Sequence, residues 1–318
     1  VSMRRLFRSG TVSVLAASVW VASACEGDDR GVSHARTSST SADWGSEVRP
    51  AVPFPEDPIS GTPDLGASFL GQEAPPAVGR PITGVIGERM IQGETPGRWP
   101  FYWTRAIYSG NGGWYGRGRQ SWATDFPKGD QQFLVVLKRL VKLSAYDWEN
   151  AVHLANPDLR RFPVIYAVEV GRMRLTDEEA EGLRGYLDAG GFLIVDDFWG
   201  TREWQVFEWN MARVFPTRTI EDIPLDHPLF STFYDIEEIR QVPNISNASW
   251  GYRTHERDGY TPYVRGIFDD DGRLMVAINF NTDLGDAWEW AEDPRYPLEY
   301  STFAYELGTN MIVYALSH

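Results

Sequence analysis

The chain has 318 residues, with 44 acidic side chains against 30 lysines and arginines and a net charge of −14. That balance excludes a nucleic-acid partner, whose phosphates would repel it, and excludes attachment to anionic lipid through a basic patch. A single cysteine excludes any disulfide within the chain, so stability must come from a packed core, to which 13 tryptophans can contribute.

Residues 1–24 read as a signal peptide. Arg4, Arg5 and Arg8 form a basic start, Thr11 to Ser23 is an apolar run too short to span a membrane, and small residues follow. Ala22-Ser23-Ala24-Cys25 resembles the lipobox of bacterial lipoproteins, in which the cysteine is acylated and becomes the new N-terminus. Ordinary cleavage near Ala24 is the alternative. Removing three arginines takes the net charge to −17 (−14 minus 3), so a lipid on Cys25 rather than charge would hold the protein to a membrane. The expected address is the cell envelope, lipid-anchored and facing the periplasm. Glu26 stands where an Asp commonly retains lipoproteins in the inner membrane, which favours the outer membrane.

Residues 25–95 are rich in Gly, Pro, Ser and Thr without a hydrophobic period, and read as a disordered tether, with Ile82 to Gln92 a short strand or arm. The folded domain spans 96–318. Phe101 to Tyr108 is a β-branched and aromatic strand carrying Arg105, and Ser109 to Arg119 is a glycine-rich loop. Asp130 reads as the N-cap of a helix with Phe133, Val136, Leu137 and Leu140 on one face. Pro163 to Val170 is an apolar strand, Thr176 to Glu179 a capping box opening a helix through Leu183, Tyr186 and Leu187, and Gly190-Gly191 its end. Phe192 to Val195 is a second buried strand that stops at Asp196-Asp197. Strand, capped helix, Gly-Gly and strand make a βαβ unit with parallel strands. Downstream lie a helix from Arg202 to Val214, an insertion at 244–262, a hairpin of Tyr263–Phe268 and Leu274–Phe280, and a last helix near Ser301 to Ala315.

An ordered series of segments resembles the bacterial domain of unknown function 4159 family. It comprises the strand with Arg105 and Tyr108, Trp122 to Asp130, Pro163 to Tyr166, Gly190 to Gly200, Asp226 to Phe230, Asn281 to Asp283 with Gly285-Asp286, and Leu307 to Asn310. That family is similar to class I glutamine amidotransferase-like, flavodoxin-like domains. The resemblance implies an α/β fold, a three-layer α/β/α sandwich with a mainly parallel sheet, over about residues 96–318.

Amidotransferases of that kind use a cysteine at a strand-to-helix elbow, and this domain has none, so thiol catalysis there is excluded. Asp196 and Asp197 sit where open α/β sheets bind ligands. They would bind a divalent metal or supply a general base, or else cap a helix and pair with Arg202 or Arg105. Arg105 would clamp an anion, or be paired in the core with Asp125 or Asp197. His227 would act as acid or base, or cap the turn that Pro228 opens. Asn281, Asp283, Asp286 and Glu289 resemble a calcium loop in composition but lack its ligand order, and read as a polar loop over the sheet edge. Asp125, which could reach that edge, Asp283 and Asp286 are ligand-binding candidates. Trp114 and Tyr115 on the glycine-rich loop, with Trp199, Trp204, Trp209, Trp288 and Trp290, would stack on a sugar ring, or pack in core and lid. His153 and His255 lack metal-ligand spacing, and neither a metal nor a cofactor is expected. The leading expectation is a non-catalytic protein binding an envelope protein or glycan. The alternative is a metal-assisted envelope hydrolase acting on a glycan through Asp196, Asp197 and His227.

Overall fold

A computed structural model describes residues 100–110, 120–251 and 253–318. The signal, Cys25, the tether, the arm at 82–92, Trp114 and Tyr115 lie outside the described residues.

The βαβ unit forms as its spacing predicts. Strand β3 (Val164–Val168) and strand β4 (Phe192–Asp196) are buried throughout and pair in parallel from Val164↔Phe192 to Val168↔Asp196. Helix α2 (Asp177–Asp188) lies between them in sequence. The Thr176 hydroxyl accepts from the Glu179 N–H at 3.2 Å, and the Glu179 carboxylate accepts from the Thr176 N–H at 2.8 Å. Gly190, at φ +99°, ends it in a backbone region closed to most side chains. Alternation splits the strands between two cores. Ile165, Ala167, Leu193 and Val195 join Leu183, Leu187, Phe207 and Met211 on one face. Val164, Tyr166, Val168 and Ile194 join Phe133, Leu137, Trp288 and Met311 on the other. A sheet apolar on both faces, with helices on each, is a three-layer α/β/α sandwich.

The remaining strands are β1 (Thr104–Ile107), β2 (Asn150–His153), β5 (Glu221–Asp222), β6 (Tyr263–Phe268) and β7 (Leu274–Phe280). The sheet order is β2-β1-β3-β4-β7-β6-β5. β2, β1, β3, β4 and β7 are parallel, while β6 pairs antiparallel with both β7 and β5. The other helices are α1 (Lys128–Leu140), α3 (Gly200–Val214), α4 (Ile245–Trp250), α5 (Leu284–Glu289) and α6 (Leu298–Ser317). Among the described residues no helix is long and apolar enough to cross a membrane.

Three local readings change. Asp130 does not cap α1. The helix begins earlier, with Pro127 at the cap position, and Asp130 lies buried in its first turn. Leu134 rather than Val136 completes the buried face of α1. After the hairpin comes α5 rather than a polar loop, because Asp283 caps it and Leu284, Ala287 and Trp288 are buried.

The closeness of α2 to the chain after β2 yields a paired test. A Cβ at Gly182 would lie 2.1 Å from the Leu154 carbonyl oxygen, whereas one at Gly185 would meet only the movable end of Arg160. Gly182→Ala is expected to cost about 1–3 kcal/mol through overpacking. Gly185→Ala is expected to be neutral or to stabilise by up to about 1 kcal/mol through helix propensity. Urea unfolding of the two variants measures the contrast.

Candidate functional site

Three adjacent strands leave the sheet at their C-terminal ends through residues with left-handed backbone. Glu169 follows β3 at φ +53°, Asp197 follows β4 at φ +50°, and Asn281 follows β7 at φ +61°. Such backbone costs energy in a non-glycine residue and persists only where its surroundings hold it. The Glu169 N–H donates to the Asp197 carbonyl at 3.0 Å, and Trp199 Nε1 donates to Asp197 Oδ1 at 3.0 Å. Asn281 Oδ1 accepts from the Gly200 N–H at 2.9 Å while its Nδ2 donates to the Thr261 carbonyl at 2.7 Å. The three exits are thereby stitched to one another and to the start of α3.

Beneath them lies Arg105 on β1, with no exposed surface. Its Nη2 reaches Asp130 Oδ2 at 2.5 Å and its Nε reaches Asp130 Oδ1 at 3.3 Å. Its Nη1 donates to the carbonyls of Trp122 at 3.1 Å and Thr124 at 2.9 Å. Trp103 Nε1 also donates to Asp130 Oδ1, at 2.8 Å, and the guanidinium carbon lies 4.8 Å from the centre of the Tyr166 ring. The partner of Arg105 is therefore Asp130, not Asp125 or Asp197. The first turn of α1 backs onto β1 and presents Asp130 there. Four of the five N–H donors of Arg105 are thus committed inside the domain, which makes it a structural anchor rather than a clamp for a ligand. It instead fixes the backbone just before Asp125, which has φ +60°.

Asp196 and Asp197 diverge, as neighbours on an extended chain should. Asp196 Oδ2 accepts from the Tyr166 hydroxyl at 2.8 Å and from the N–H groups of Leu284 and Gly285 at 2.9 and 3.1 Å, seating the start of α5. Asp283 Oδ1 caps α5 by accepting from the Asp286 N–H at 2.8 Å. Asp286 accepts from the Ile245 N–H at 2.6 Å and from Trp290 Nε1 at 3.2 Å. Carboxylate oxygens of Asp125, Asp197 and Asp283 all lie within 4.8 Å of one another, and so do those of Asp125, Asp286 and Glu289. Among the described residues these are the two sets able to hold a metal ion.

Crowding acids in a dry place makes their ionisation costly. Burial first, then the charges of Asp286 and other neighbouring acids, pushes the Asp125 carboxyl well above the usual carboxylate range, with Arg105 opposing. Burial and then Glu169 and Asp125 raise Asp197, while burial and then Asp197 and Asp286 raise Asp283. Burial lifts Asp196 to about 7 against the hydrogen bonds from Tyr166 and Gly285, and lifts Asp286 to about 6.

His227 lies elsewhere. Its Nδ1 accepts from the Leu229 N–H at 3.2 Å, capping the turn Pro228–Phe230. Its ring packs 5.5 Å from that of Tyr314, which is 6.1 Å from Phe192 at the start of β4. His227 is thus at the opposite end of the sheet from Asp196. Trp199 and Trp288 are buried and offer no platform. Trp209 is exposed at 37%, and among the described residues the most exposed aromatics are Trp250 and Tyr260, at 70% and 68%, on the 244–262 segment. Gln241 Nε2 ties that segment beside the strand ends by donating to the carbonyls of Gly259 at 2.8 Å and Asn281 at 3.1 Å. The sequence reading missed Glu169 and the convergence of Asp125 and Glu289 with the other acids. Nothing in local spacing marks residues so far apart in the chain as neighbours.

Residues 114–316 match the family model of the domain of unknown function (DUF4159), and the chain belongs to that family. No curated protein matches the chain.

Arg105→Met is expected to cost about 3–5 kcal/mol, because it strands Asp130 in the core. Adding Asp130→Asn should recover part of that loss, which a double-mutant cycle by chemical denaturation reads directly. A second test uses pH. Burial raises Glu203 to about 7 against its pairing with Arg257 at 2.9 Å and the hydrogen bond from the Trp199 N–H, with Glu169 and Arg172 also facing it. A carboxyl raised in the folded state binds more protons folded than unfolded, so its contribution is full at low pH. That contribution falls as pH rises from the ordinary Glu value to about 7, by about 1.4 kcal/mol for each pH unit crossed. Glu203→Gln should therefore gain melting temperature relative to the parent chain between pH 5 and pH 8.

Proposed function

We propose that this member of the family is a lipid-anchored cell-envelope protein whose α/β domain works by binding or scaffolding, with an envelope protein or a glycan as its partner. The observation that carries the reading is the make-up of the strand-end site. In the class I glutamine amidotransferase-like domains that the family is similar to, a thiol sits at a strand-to-helix elbow. Here the left-handed residues after the three central strands are Glu169, Asp197 and Asn281. The chain's one cysteine is Cys25, and His227 is at the far end of the sheet. Among the described residues neither acidic set includes a thiol or an imidazole, which favours recognition over nucleophilic chemistry.

Two further features support the reading. Trp250 and Tyr260 are large aromatic side chains held in solvent on a segment tied beside the same strand ends. Aromatic faces of this kind stack on sugars and anchor protein contacts. The lipobox-like Ala22-Ser23-Ala24-Cys25 would place that surface at a membrane, with Cys25 consumed as the anchor. A metal-assisted hydrolase is the second reading, favoured by the convergence of Asp125, Asp197 and Asp283. It would proceed without His227.

The test is retention of envelope extract and of isolated cell-wall glycan by the full chain expressed with its first 24 residues. The parent chain should carry acyl groups on Cys25 by mass spectrometry and should retain a partner. Trp250→Ser with Tyr260→Ser should lose at least tenfold of that retention while stability moves by less than about 0.5 kcal/mol per substitution. An unmodified Cys25 would remove the anchor, and turnover of the glycan without stable retention would replace binding with hydrolysis.

A further inference from the structure

The carboxylates at the strand ends present a charge problem that the protein's own side chains leave unsolved. Asp125, Asp197 and Asp283 bring one oxygen each to within 4.8 Å of the other two. Asp197 and Asp283 are buried, and Asp196, with no exposed surface at all, adjoins them. The basic side chain that opposes the charge on Asp125 is Arg105, and four of its five N–H donors are spent on Asp130 and on the carbonyls of Trp122 and Thr124. Carboxylates this close need a proton, a cation or a set of donors.

Donors do not account for the whole cluster. Asp125 Oδ2 is enclosed, with no hydrogen-bond partner, and so is Asp196 Oδ1. The two side chains share a wall. Asp125 Oδ2 lies 2.6 Å from where a Cβ on Gly285 would be, and the Tyr166 hydroxyl that binds Asp196 lies 3.2 Å from the same point. Buried oxygen acceptors without donors suit a cation, since lone pairs that bind a metal ion need no N–H.

The geometry points to a site for one hard divalent cation, calcium in preference to magnesium, held by Asp125, Asp197 and Asp283. All three ligands are carboxylates, with neither thiolate nor imidazole among them, which selects a hard ion over zinc or copper. Calcium oxygens stand at roughly 2.3–2.6 Å from the ion, so two ligands on opposite sides are roughly 4.6–5.2 Å apart. Oxygens all within 4.8 Å of one another are within reach of that shell. The ligands come from a loop, a strand end and a helix cap, irregular backbone that suits calcium's flexible coordination better than magnesium's strict octahedron. The second acidic set, Asp125 with Asp286 and Glu289, is the weaker choice because both oxygens of Asp286 already accept hydrogen bonds. A bound ion would cross-link the loop at 121–127, the end of β4 and the start of α5, three pieces far apart in the chain. This inference goes beyond the binding reading and does not depend on it, since the site would serve a scaffold and a hydrolase equally.

The test uses the full chain stripped with a chelator and titrated with calcium chloride, magnesium chloride and terbium chloride. Calcium should bind with measurable heat and raise the melting temperature. Terbium should luminesce on indole excitation, because Trp199 hydrogen-bonds the ligand Asp197. Asp283→Asn and Asp197→Asn should each weaken calcium at least tenfold. Without metal both should melt at or above the parent chain, since each removes a buried like charge. Glu289→Gln should bind calcium as the parent does. The pattern of a stable apo variant without a calcium response separates ligand loss from misfolding, and Asp125→Asn provides a third ligand variant. The site is overturned by a stripped parent chain that gives neither heat nor terbium luminescence at millimolar ion. A response to magnesium alone overturns the choice of calcium, and loss of binding in Glu289→Gln overturns the choice of ligand set.

Discussion

A guanidinium with no contact to water must find its acceptors inside the protein, and the fold around Arg105 supplies them for four of its five N–H donors. Asp130 gives two carboxylate oxygens from the first turn of α1, and Trp122 and Thr124 give carbonyls from the preceding loop. Trp103 adds its indole N–H to the same carboxylate, and Tyr166 lays its ring against the cation. Satisfying one buried charge therefore fixes the seating of α1 against β1 and the path of the loop that carries Asp125. A buried ion pair is weak evidence for stability in itself, because desolvation offsets much of the attraction. Its effect here is on position, since it leaves Asp125 one place for its side chain.

That position matters because the parallel sheet sends its strand ends to the same place. Val168, Asp196 and Phe280 close three neighbouring strands, and the residue after each turns left-handed. The turns redirect the chain so that acidic side chains from β4 and from the start of α5 converge on Asp125. The mouth of a parallel sheet is where α/β proteins gather ligands, because loops from many strands meet there over a rigid base. In this chain the gathering yields like charges, each raised by burial and by its neighbours. His227, capping a turn at the other end, belongs to the frame and not to this mouth.

Much of the frame is local in origin and legible in the sequence. The run Pro163 to Val170, the Thr176–Glu179 box and the Gly190-Gly191 stop act over a few residues each, and together they specify β3, α2 and β4. Asp269-Asp-Asp-Gly272 turns the β6–β7 hairpin in the same local way, closed by the Gly272 N–H on the Asp269 carbonyl at 3.2 Å. Local reading fails at Asp130, where a first-turn acid resembles a cap but faces β1. It fails again at Asp283 to Glu289, where acids suggest a loop but Asp283 caps a short helix with a buried Trp288.

From the sequence alone came the alternation of strand and helix, the layers that follow from it, the family, the lack of a thiol in the domain and the position of Cys25. These rest on periodicity, capping and composition, which act between residues near in the chain. The tertiary structure alone decided that Arg105 belongs to Asp130, that His227 stands apart from Asp196, and that Asp125, Asp197 and Asp283 meet. Each of those depends on how distant segments dock, and a charge carries no mark in the sequence of which distant charge it will face.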